Sequence, residues 1–308
     1  MIVLDGPWES WEATGDPAAI TIGVLDGVHL GHRALIGMLD PMLTRTVLTF
    51  EPHPIEVLRP GTVPRLLTTI DERIELLAAS GVDVAGVLDL AKIKDQSPDT
   101  FVREVLIDKL AVRQLVVGSD FRFGKDRAGD VRLLESMGSE IGCEVVVIDL
   151  VTDESEPVSS SRIRALIEQG DVATAATLMG SRFTLTNHVV PGDERGAELG
   201  FPTANLAPPA RKVIPATGIY ACFARVGGVT HPAAVNVGHR PTFGGGALLI
   251  EAHILDFDRS IYGESLTLEF VEFLRGELKF DTVDTLVANI REDVARTRSV
   301  LRSVESRI

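Results

Sequence analysis

The chain changes its periodicity near residue 180, and this change constrains the fold more than any other feature. Before it, short apolar runs alternate with amphipathic segments. These runs predict strands at 19–24, 46–50, 84–88, 114–117 and 144–148, and helices at 32–43, 71–80, 98–109, 131–138, 159–169 and 171–179. Because strands alternate with helices, we expect a parallel sheet with helices on both faces, an α/β domain spanning 1–181.

The second part of the chain, 182–308, has a different pattern. Between 183 and 273, short β-rich runs are separated by Gly and Pro, which favours an antiparallel barrel or sandwich. The chain closes with an amphipathic segment at 282–303, whose apolar positions recur at helical spacing. The sequence therefore predicts two domains of different class.

Composition narrows the class of partner and the compartment. The 308 residues carry a formal net charge of −14, which argues against a general nucleic-acid binder but leaves room for a small polyphosphate site. Cys143 and Cys222 are too few for a disulfide framework or a zinc site. No apolar run is long enough for a membrane span, and the N-terminus lacks the pattern of a signal peptide. We expect a cytoplasmic protein with small-molecule substrates and no nucleic-acid or membrane partner, and a weak homo-oligomer is left open.

A glycine-rich stretch, TIGVLDGVHLGH (21–32), follows the first long strand. In open parallel sheets, ligands bind beyond the carboxyl ends of the strands, where loops meet helix N-termini. Gly27 and Gly31 allow a phosphate to approach the backbone. His29 and His32 are three residues apart at the start of a predicted helix, so both imidazoles face the same side. On these residues alone, the stretch is either an anion site or a bland turn.

The spacing H-x-G-H after D-G resembles the phosphate motif of the nucleotidylyltransferase superfamily. Three further segments, FEPHP (50–54), LVVGSDFRFGKDRAGD (115–130) and VSSSRIR (158–164), resemble the FMN adenylyltransferase module of the bacterial bifunctional riboflavin kinase/FAD synthetase family. The resemblance implies a Rossmann-like nucleotidylyltransferase domain in which His29 and His32 stabilise charge on the α-phosphate of ATP.

The same resemblance implies a set of nucleotide- and flavin-binding residues. The FEPHP turn would wall the flavin side, and the serines and Arg162 would bind the triphosphate. Phe121 and Phe123 are expected on opposite sides of a short extended segment. The implied set is Gly23, Asp26, Gly27, Gly31, Phe50, Pro52, His53, Pro54, Asp120, Phe121, Phe123, Ser159, Ser160, Ser161 and Arg162.

The second domain has no Walker loop, so a kinase here is not of the P-loop type. In LGFPTANL (199–206), Thr203 and Asn205 point to the same side of an extended segment. A hydroxyl and an amide oxygen are hard ligands that suit Mg²⁺. By itself the segment is equally a polar turn.

The neighbouring segments GIYA (218–221), NVGHRPTFGG (236–245), IEAHILDFDRSIYG (250–263) and KFDT (279–282) make the domain similar to riboflavin kinases. The resemblance implies an antiparallel β-barrel with a terminal α-helix that closes one side of the flavin pocket. It also implies that Glu251 is the general base, that Thr203 and Asn205 hold Mg²⁺, and that FGGGA (243–247) is a flap. The remaining implied binding residues are Gly192 and Gly196 of a phosphate loop at 191–200, Phe201, Pro202 and Arg240.

The resemblance predicts a bifunctional enzyme that converts riboflavin and ATP to FMN and ADP, and then FMN and ATP to FAD and diphosphate. The chain departs from the family pattern at Leu25, in the kinase loop at Pro191 and Ala197, and at His239. Three alternatives remain: a paralogue that retains only the adenylyltransferase, a flavin-binding protein without turnover, and a cytidylyltransferase. The last leaves PTAN unexplained.

Overall fold

The computed structural model describes residues 1–192, 195–239 and 248–305. The chain divides into two compact units, Met1–Ser160 and Ser161–Ile308. Each unit has its own sheet.

The first unit is built on a six-stranded sheet in which every neighbouring pair is parallel. Its strands are β1 (Ile2–Leu4), β2 (Ala18–Ile22), β3 (Thr44–Phe50), β4 (Val84–Leu88), β5 (Val112–Gly118) and β6 (Glu144–Ile148). A short antiparallel pair, β7 (Thr152–Asp153) and β8 (Glu156–Pro157), follows. The predicted parallel sheet is confirmed.

The helices of the first unit connect these strands. They are α1 (Leu30–Gly37), α2 (Pro54–Leu58), α3 (Ile70–Ala79), α4 (Leu90–Ile93), α5 (Pro98–Thr100), which runs into a π-helical segment (Phe101–Lys109), and α6 (Val131–Ile141). Two 3₁₀ turns lie at Trp8–Ser10 and Lys125–Arg127. Ser97 caps α5 by accepting a hydrogen bond from the backbone N–H of Thr100.

The strand order β1-β4-β3-β2-β5-β6 places a topological switch point between β2 and β5. The chain moves outward from β2 to β3 and β4 on one side, and through β5 to β6 on the other. Ligands of such sheets bind at the carboxyl ends of the strands beside the switch point. Here those ends are Ile22 and Gly118.

The centre of the sheet is buried on both faces, since successive side chains of β2 point to opposite sides and all five of its residues are buried. Ile20 and Ile22 pack in one apolar cluster, which also contains Trp8 and Trp11. Ala19 lies in a second cluster. The two clusters pack the sheet between its connecting helices and loops, and the loops at its carboxyl edge therefore extend from packed strands.

The second unit contains a closed antiparallel barrel of six strands, in the order β10-β13-β12-β11-β14-β9, with β9 pairing back to β10. The strands are β9 (Thr184–Val190), β10 (Ala204–Leu206), β11 (Gly218–Val226), β12 (Val229–His239), β13 (Leu248–Ile254) and β14 (Ser265–Arg275). The helices are α7 (Ser160–Glu168), α8 (Val172–Met179), α9 (Arg195–Glu198) and α10 (Val283–Glu305). The sequence predicted either a barrel or a sandwich, and the structure is a barrel.

The barrel has an apolar interior and an outer face that α10 partly covers. Tyr220 points inward, where its hydroxyl donates a hydrogen bond to the carbonyl of Ala216 at 2.6 Å. On the outer face of β11, Ala221 and Phe223 pack with Leu301 of α10. Side chains therefore alternate between the interior and the face under the helix.

One helix prediction was wrong at its end. The pattern at 32–43 predicts a helix as far as Leu43, but α1 ends at Gly37. Pro41 explains the difference, because a proline disfavours helical backbone in the residue before it and lacks an N–H donor. The last turn tightens instead, with the backbone N–H of Leu39 bonded to the carbonyl of Ile36 at 3.2 Å.

We predict that Gly86→Ala destabilises the first unit by about 1–3 kcal/mol through overpacking. A Cβ on Gly86 would lie 2.6 Å from Leu48 Cδ2 and 2.8 Å from the Trp11 ring. Urea unfolding followed by tryptophan fluorescence measures this directly, since the chain's two tryptophans, Trp8 and Trp11, both lie in this unit. Gly37→Ala is the matched control, because no atom lies within 4 Å of its new Cβ and it should not destabilise. Equal midpoints for both variants would contradict the packing described here.

Candidate active sites

The loop after β2 is held by the carboxylate of Asp26. This buried side chain accepts hydrogen bonds from the backbone N–H groups of Leu67 and Thr68 and from the Thr68 hydroxyl, at 2.9–3.0 Å. The Thr68 hydroxyl oxygen in turn accepts from the N–H of Gly27 at 3.0 Å. Asp26 therefore fixes the loop against the segment before α3. Its predicted contact with nucleotide stays a prediction.

The backbone of this loop is strained immediately before the histidines. Leu25, Gly27 and Val28 all have positive φ, at 50°, 83° and 39°. For a β-branched residue such as Val28 this region is a rare conformation that costs about 1–3 kcal/mol. Burial of the Leu25 and Val28 side chains in the core, together with the Asp26 hydrogen bonds, holds the conformation. Leu25, where the chain departs from the family pattern, is therefore a buried residue with a strained backbone.

The two histidines of the H-x-G-H motif form a stacked pair. The ring centroids of His29 and His32 are 3.6 Å apart with an interplanar angle of 20°. Gly31 makes room for this arrangement, because a Cβ there would lie 3.1 Å from the His29 ring. In each ring Nδ1 is buried and makes no hydrogen bond to the described part of the chain.

Burial keeps both imidazoles neutral. It lowers the pKa of His29 to about 4, against the opposing effect of the Asp26 carboxylate. Burial also lowers the pKa of His32 well below its usual range, and the neighbouring His29 and Arg73 lower it further. The pair thus offers two neutral imidazoles at the switch point, a suitable arrangement of donors for an incoming anion.

Sequence reasoning missed Arg73, whose side chain is fully buried. Its Nη1 donates to the Thr49 hydroxyl at 3.0 Å and to the Phe50 carbonyl at 3.1 Å, at the carboxyl end of β3. The Thr49 hydroxyl donates in turn to the Val24 carbonyl at 2.8 Å. The helical spacing of Arg73 and Leu77 on the buried face of α3 was the available signal.

The FEPHP segment joins β3 to α2. Phe50 is the last residue of β3, and the Glu51–Pro52 peptide bond is cis. His53 caps α2, with its Nδ1 accepting from the N–H of Ile55 at 3.1 Å, and Pro54 is the first helical residue. The segment is therefore a turn at the carboxyl edge of the sheet that leads directly into a capped helix.

The prediction that Phe121 and Phe123 lie on opposite sides of an extended segment was wrong. Their rings stack with centroids 5.7 Å apart, and both pack on the core that contains Trp8. The cause is strand alternation, because residues two apart in an extended segment face the same side. A turn after β5, closed by a hydrogen bond from the N–H of Phe121 to the carbonyl of Gly118 at 3.0 Å, precedes this segment. Asp120 lies exposed in this turn.

The serines of VSSSRIR have different positions. Ser159 precedes α7, and the Ser160 hydroxyl donates to the carbonyl of Asp26 at 2.9 Å, which ties Ser160 to the H-x-G-H loop. The Ser161 hydroxyl accepts from Arg164 at 3.1 Å. Ser161 and Arg162 belong to the second unit, and their predicted phosphate contacts stay predictions.

A cavity of about 720 Å³ opens on the outer face of the barrel, bordered by α10 and by the segment 277–280. Gly196, Phe201, Thr203, Asn205 and Glu251 all line it. The structure thus brings together most of the residues predicted for the kinase. Asn205 and Thr203 face the same side, as the alternation of the strand predicts.

Strand register builds the polar wall of this cavity. Glu251 on β13 lies directly opposite Asn205 on β10 and directly opposite Asn236 on β12. The row continues through Ile219 on β11 to Arg275 on β14. All five side chains line the cavity. Sequence reasoning gave no role to Asn236, the first residue of NVGHRPTFGG, and missed Arg275, because only the register shows that they share a row with Glu251.

Two hydrogen bonds and an ion pair order this wall. Asn236 Nδ2 donates to Glu251 Oε2 at 3.2 Å. Arg275 donates to both carboxylate oxygens of Asp293 on α10, at 2.9 and 2.6 Å, and so ties the helix to the barrel. His253 Nδ1 donates to the Pro202 carbonyl at 2.9 Å, which fixes the PTAN turn.

The donor set of the PTAN segment fits a hard cation. Asn205 Oδ1 is buried and accepts no hydrogen bond from the described residues, so an oxygen lone pair is available. Gly192 and Gly196 lack a side chain, which lets the predicted phosphate loop lie close to Asn205 and Thr203. A Cβ on Gly192 would overlap the Asn205 amide, and one on Gly196 would lie 3.6 Å from the Thr203 hydroxyl.

Some predicted residues fall outside the described ranges, namely Arg240, the FGGGA segment at 243–247 and residues 193–194 of the phosphate loop. Within those ranges, no three His, Cys, Asp or Glu side chains cluster as metal ligands. None of the helices in the described ranges is long and apolar enough to cross a membrane.

Comparison with known proteins gives the same two modules. A family model for FAD synthetase matches residues 12–162, and one for riboflavin kinase matches residues 179–301. A bifunctional riboflavin kinase/FMN adenylyltransferase from Listeria monocytogenes is 36% identical over 99% of each chain. Proteins of the same description from Escherichia coli K12 and Bacillus subtilis are 35% and 32% identical, over 93% and 90% of this chain and 94% and 90% of theirs.

A solved structure has the same fold over nearly the whole chain. It is a crystal structure described as a macrolide-efflux protein from Streptococcus pneumoniae, 29% identical, with a TM-score of 0.89 and coverage of 97% of this chain and 99% of that one. The sequence relatives and both family models agree with each other. The chain belongs to the bifunctional riboflavin kinase/FMN adenylyltransferase family and carries both of its transferase modules, the FAD synthetase module first and the riboflavin kinase module second.

Proposed function

We propose that this chain makes FAD in two ATP-dependent steps. The second module phosphorylates riboflavin to FMN with release of ADP, and the first transfers AMP from ATP to FMN with release of diphosphate. The observation that carries the first step is the position of Glu251, between Asn205 and Asn236 on the wall of a cavity of about 720 Å³. The stacked histidine pair at the switch point supports the second step.

In the kinase step Glu251 acts as the general base. Its carboxylate takes the proton of the ribityl 5′-hydroxyl as that oxygen attacks the γ-phosphorus of ATP, and ADP leaves with the electrons of the broken P–O bond. Thr203 and Asn205 would hold Mg²⁺, which neutralises charge on the phosphate oxygens when bound. The apolar surface that Leu278 and Phe280 add to the cavity suits a flavin ring.

In the adenylyl transfer step, the chain's contribution is positioning and electrostatic stabilisation. The phosphate of FMN attacks the α-phosphorus of ATP, and diphosphate leaves. His29 and His32 donate hydrogen bonds to the oxygens on which charge develops. Ser160 and Asp26 hold the loop that presents them. FEPHP would form the flavin side of this site.

The proposal also covers the substrates, the cellular location, the partners and the boundary between the modules. The substrates are ATP, riboflavin and FMN, the location is the cytoplasm, and nucleic acids and membranes are not partners. The functional boundary is proposed at 181/182, with a weak homo-oligomer as an open prediction. Arg162, Arg240, Phe201 and Pro202 are proposed as further contacts to nucleotide or flavin.

We predict that one substitution in each module separates the two steps. His32→Ala should lower FMN adenylylation about 10²–10³-fold and let FMN accumulate from riboflavin. Glu251→Gln should lower riboflavin phosphorylation at least about 10²-fold and leave FMN adenylylation intact. Chromatography of flavins, with reactions started separately from riboflavin and from FMN, measures both. The assignment is wrong if either variant loses the opposite step, or if the wild-type protein forms neither product.

We predict that Asn205→Ala raises the Mg²⁺ concentration needed for half-maximal riboflavin phosphorylation about tenfold or more, because it removes the buried oxygen Oδ1. The Mg²⁺ dependence of FMN adenylylation should not change. Asn187→Ala on β9 is the matched control, since it also removes a carboxamide from the barrel, one bound to the Ala207 carbonyl. An unchanged Mg²⁺ dependence of the kinase step would remove Asn205 from the proposed metal site.

We predict that the first unit loses stability between pH 6.5 and 4. Burial lowers the pKa of His29 from 6.5 to about 4, so in this window the unfolded chain binds a proton that the folded chain does not. The contribution is fully present above pH 6.5 and falls by up to about 3 kcal/mol toward pH 4. Tryptophan fluorescence during urea unfolding at several pH values measures the free energy of unfolding, and His29→Gln should weaken its dependence on pH in this window. The same pH dependence in the wild-type protein and in His29→Gln would contradict a neutral histidine pair.

A further inference from the structure

We propose that Asn236 is a positioning residue for the kinase reaction, which holds one oxygen of Glu251 so that the other is free to take the substrate proton. The inference rests on the proposed kinase function. It concerns Asn236, the neighbour of the proposed base on β12, which opens the NVGHRPTFGG segment but was given no role in the sequence analysis.

The strand register fixes the contact. Asn236 and Glu251 are directly opposite on the antiparallel strands β12 and β13, and both face the cavity outside the barrel. Directly opposite side chains have Cβ atoms about 4.5–5.5 Å apart, which suits a short amide against a carboxylate. The bond runs from Asn236 Nδ2 to Glu251 Oε2 at 3.2 Å.

The chemistry gives this bond two effects. A carboxylate oxygen accepts a hydrogen bond and an amide N–H donates one, so the contact holds the Glu251 carboxylate in a fixed orientation. Since Asn236 orients the carboxylate through Oε2, we propose Oε1 as the oxygen that takes the proton of the ribityl hydroxyl. The new O–P bond forms to the γ-phosphorus, and the P–O bond to ADP breaks with its electrons on ADP.

The other polar groups of the cavity have different partners or positions. His253 donates to the Pro202 carbonyl, and Arg275 is paired with Asp293 of α10. The charged and titratable groups that also line the cavity are His239 at the end of β12, Glu277 and Lys279. Within the described ranges, Asn236 is the side chain that donates a hydrogen bond to Glu251.

The test replaces the donor by an isosteric acceptor in Asn236→Asp. Two facing carboxylates favour a shared proton, so the acid limb of the pH–rate profile of riboflavin phosphorylation should move to higher pH by about one unit or more. At pH 7, kcat should fall about 10–100-fold and recover in part at higher pH, while KM for riboflavin changes less than about threefold. Adenylylation of FMN should not change.

Two further variants keep the test decisive. Asn236→Ala removes the donor without adding charge and should lower kcat with a smaller movement of the acid limb, which covers the case in which the Asp variant does not fold. Asn187→Asp makes the same isosteric change on β9, outside this row, and should leave the pH profile unmoved.

The possible results separate the inference from the function beneath it. If wild-type protein forms no FMN, the kinase function fails and the inference fails with it. If wild-type protein is active, the inference is overturned when Asn236→Asp or Asn236→Ala keeps the wild-type kcat and pH profile. It is also overturned when only KM changes, when kcat falls with an unmoved acid limb, or when Asn187→Asp gives the same shift.

Discussion

Hydrogen-bonded register across β10, β13 and β12 decides which side chains face the cavity of the second unit. Because side chains alternate along a strand, a slip of one residue would turn Glu251 into the apolar barrel and bring Ile250 or Ala252 to the surface. Barrel closure opposes such a slip, since β9 pairs with β10 and leaves no free edge there. The same backbone ladder that forms the fold therefore places the proposed base Glu251, the predicted metal ligand Asn205 and the proposed positioning residue Asn236.

The first unit positions its candidate site differently, because His29 and His32 follow a loop beyond β2 and do not lie within a strand. A loop has no ladder to fix it, and here the buried carboxylate of Asp26 supplies three hydrogen bonds in its place. These bonds, with the buried side chains of Leu25 and Val28, offset the cost of left-handed backbone at both positions. Strain of this kind persists only where the surroundings over-determine it. Asp26 is thus best described by its contacts as a support for the histidine pair.

Periodicity predicted the parallel sheet and the change to a β-rich domain, because burial of alternate faces leaves a direct trace in the sequence. It did not predict the end of α1, where Pro41 acts four residues beyond Gly37, and the expectation that Phe121 and Phe123 lie on opposite sides misapplied strand alternation. The histidines identified by motif lie in the loop beyond β2, whereas Asn205 and Glu251 lie within β10 and β13. Asn236 and Arg73 were given no role for a physical reason: their roles depend on partners distant in sequence, on β13 and at the end of β3.

The two candidate sites differ in the charge of their central groups: the first has a pair of imidazoles, and the second has the carboxylate of Glu251. Two protonated imidazoles with centroids 3.6 Å apart would repel by about 4 kcal/mol at the effective dielectric of a partly buried pair, in addition to the cost of burial. Both histidines are therefore neutral, and a positive charge on the pair would need an anion beside it. In the proposed kinase step the cavity beside Glu251 would receive the phosphates of ATP, which are anions like the carboxylate itself. The neutral amide of Asn236 holds this carboxylate by a hydrogen bond without placing a further charge in the cavity.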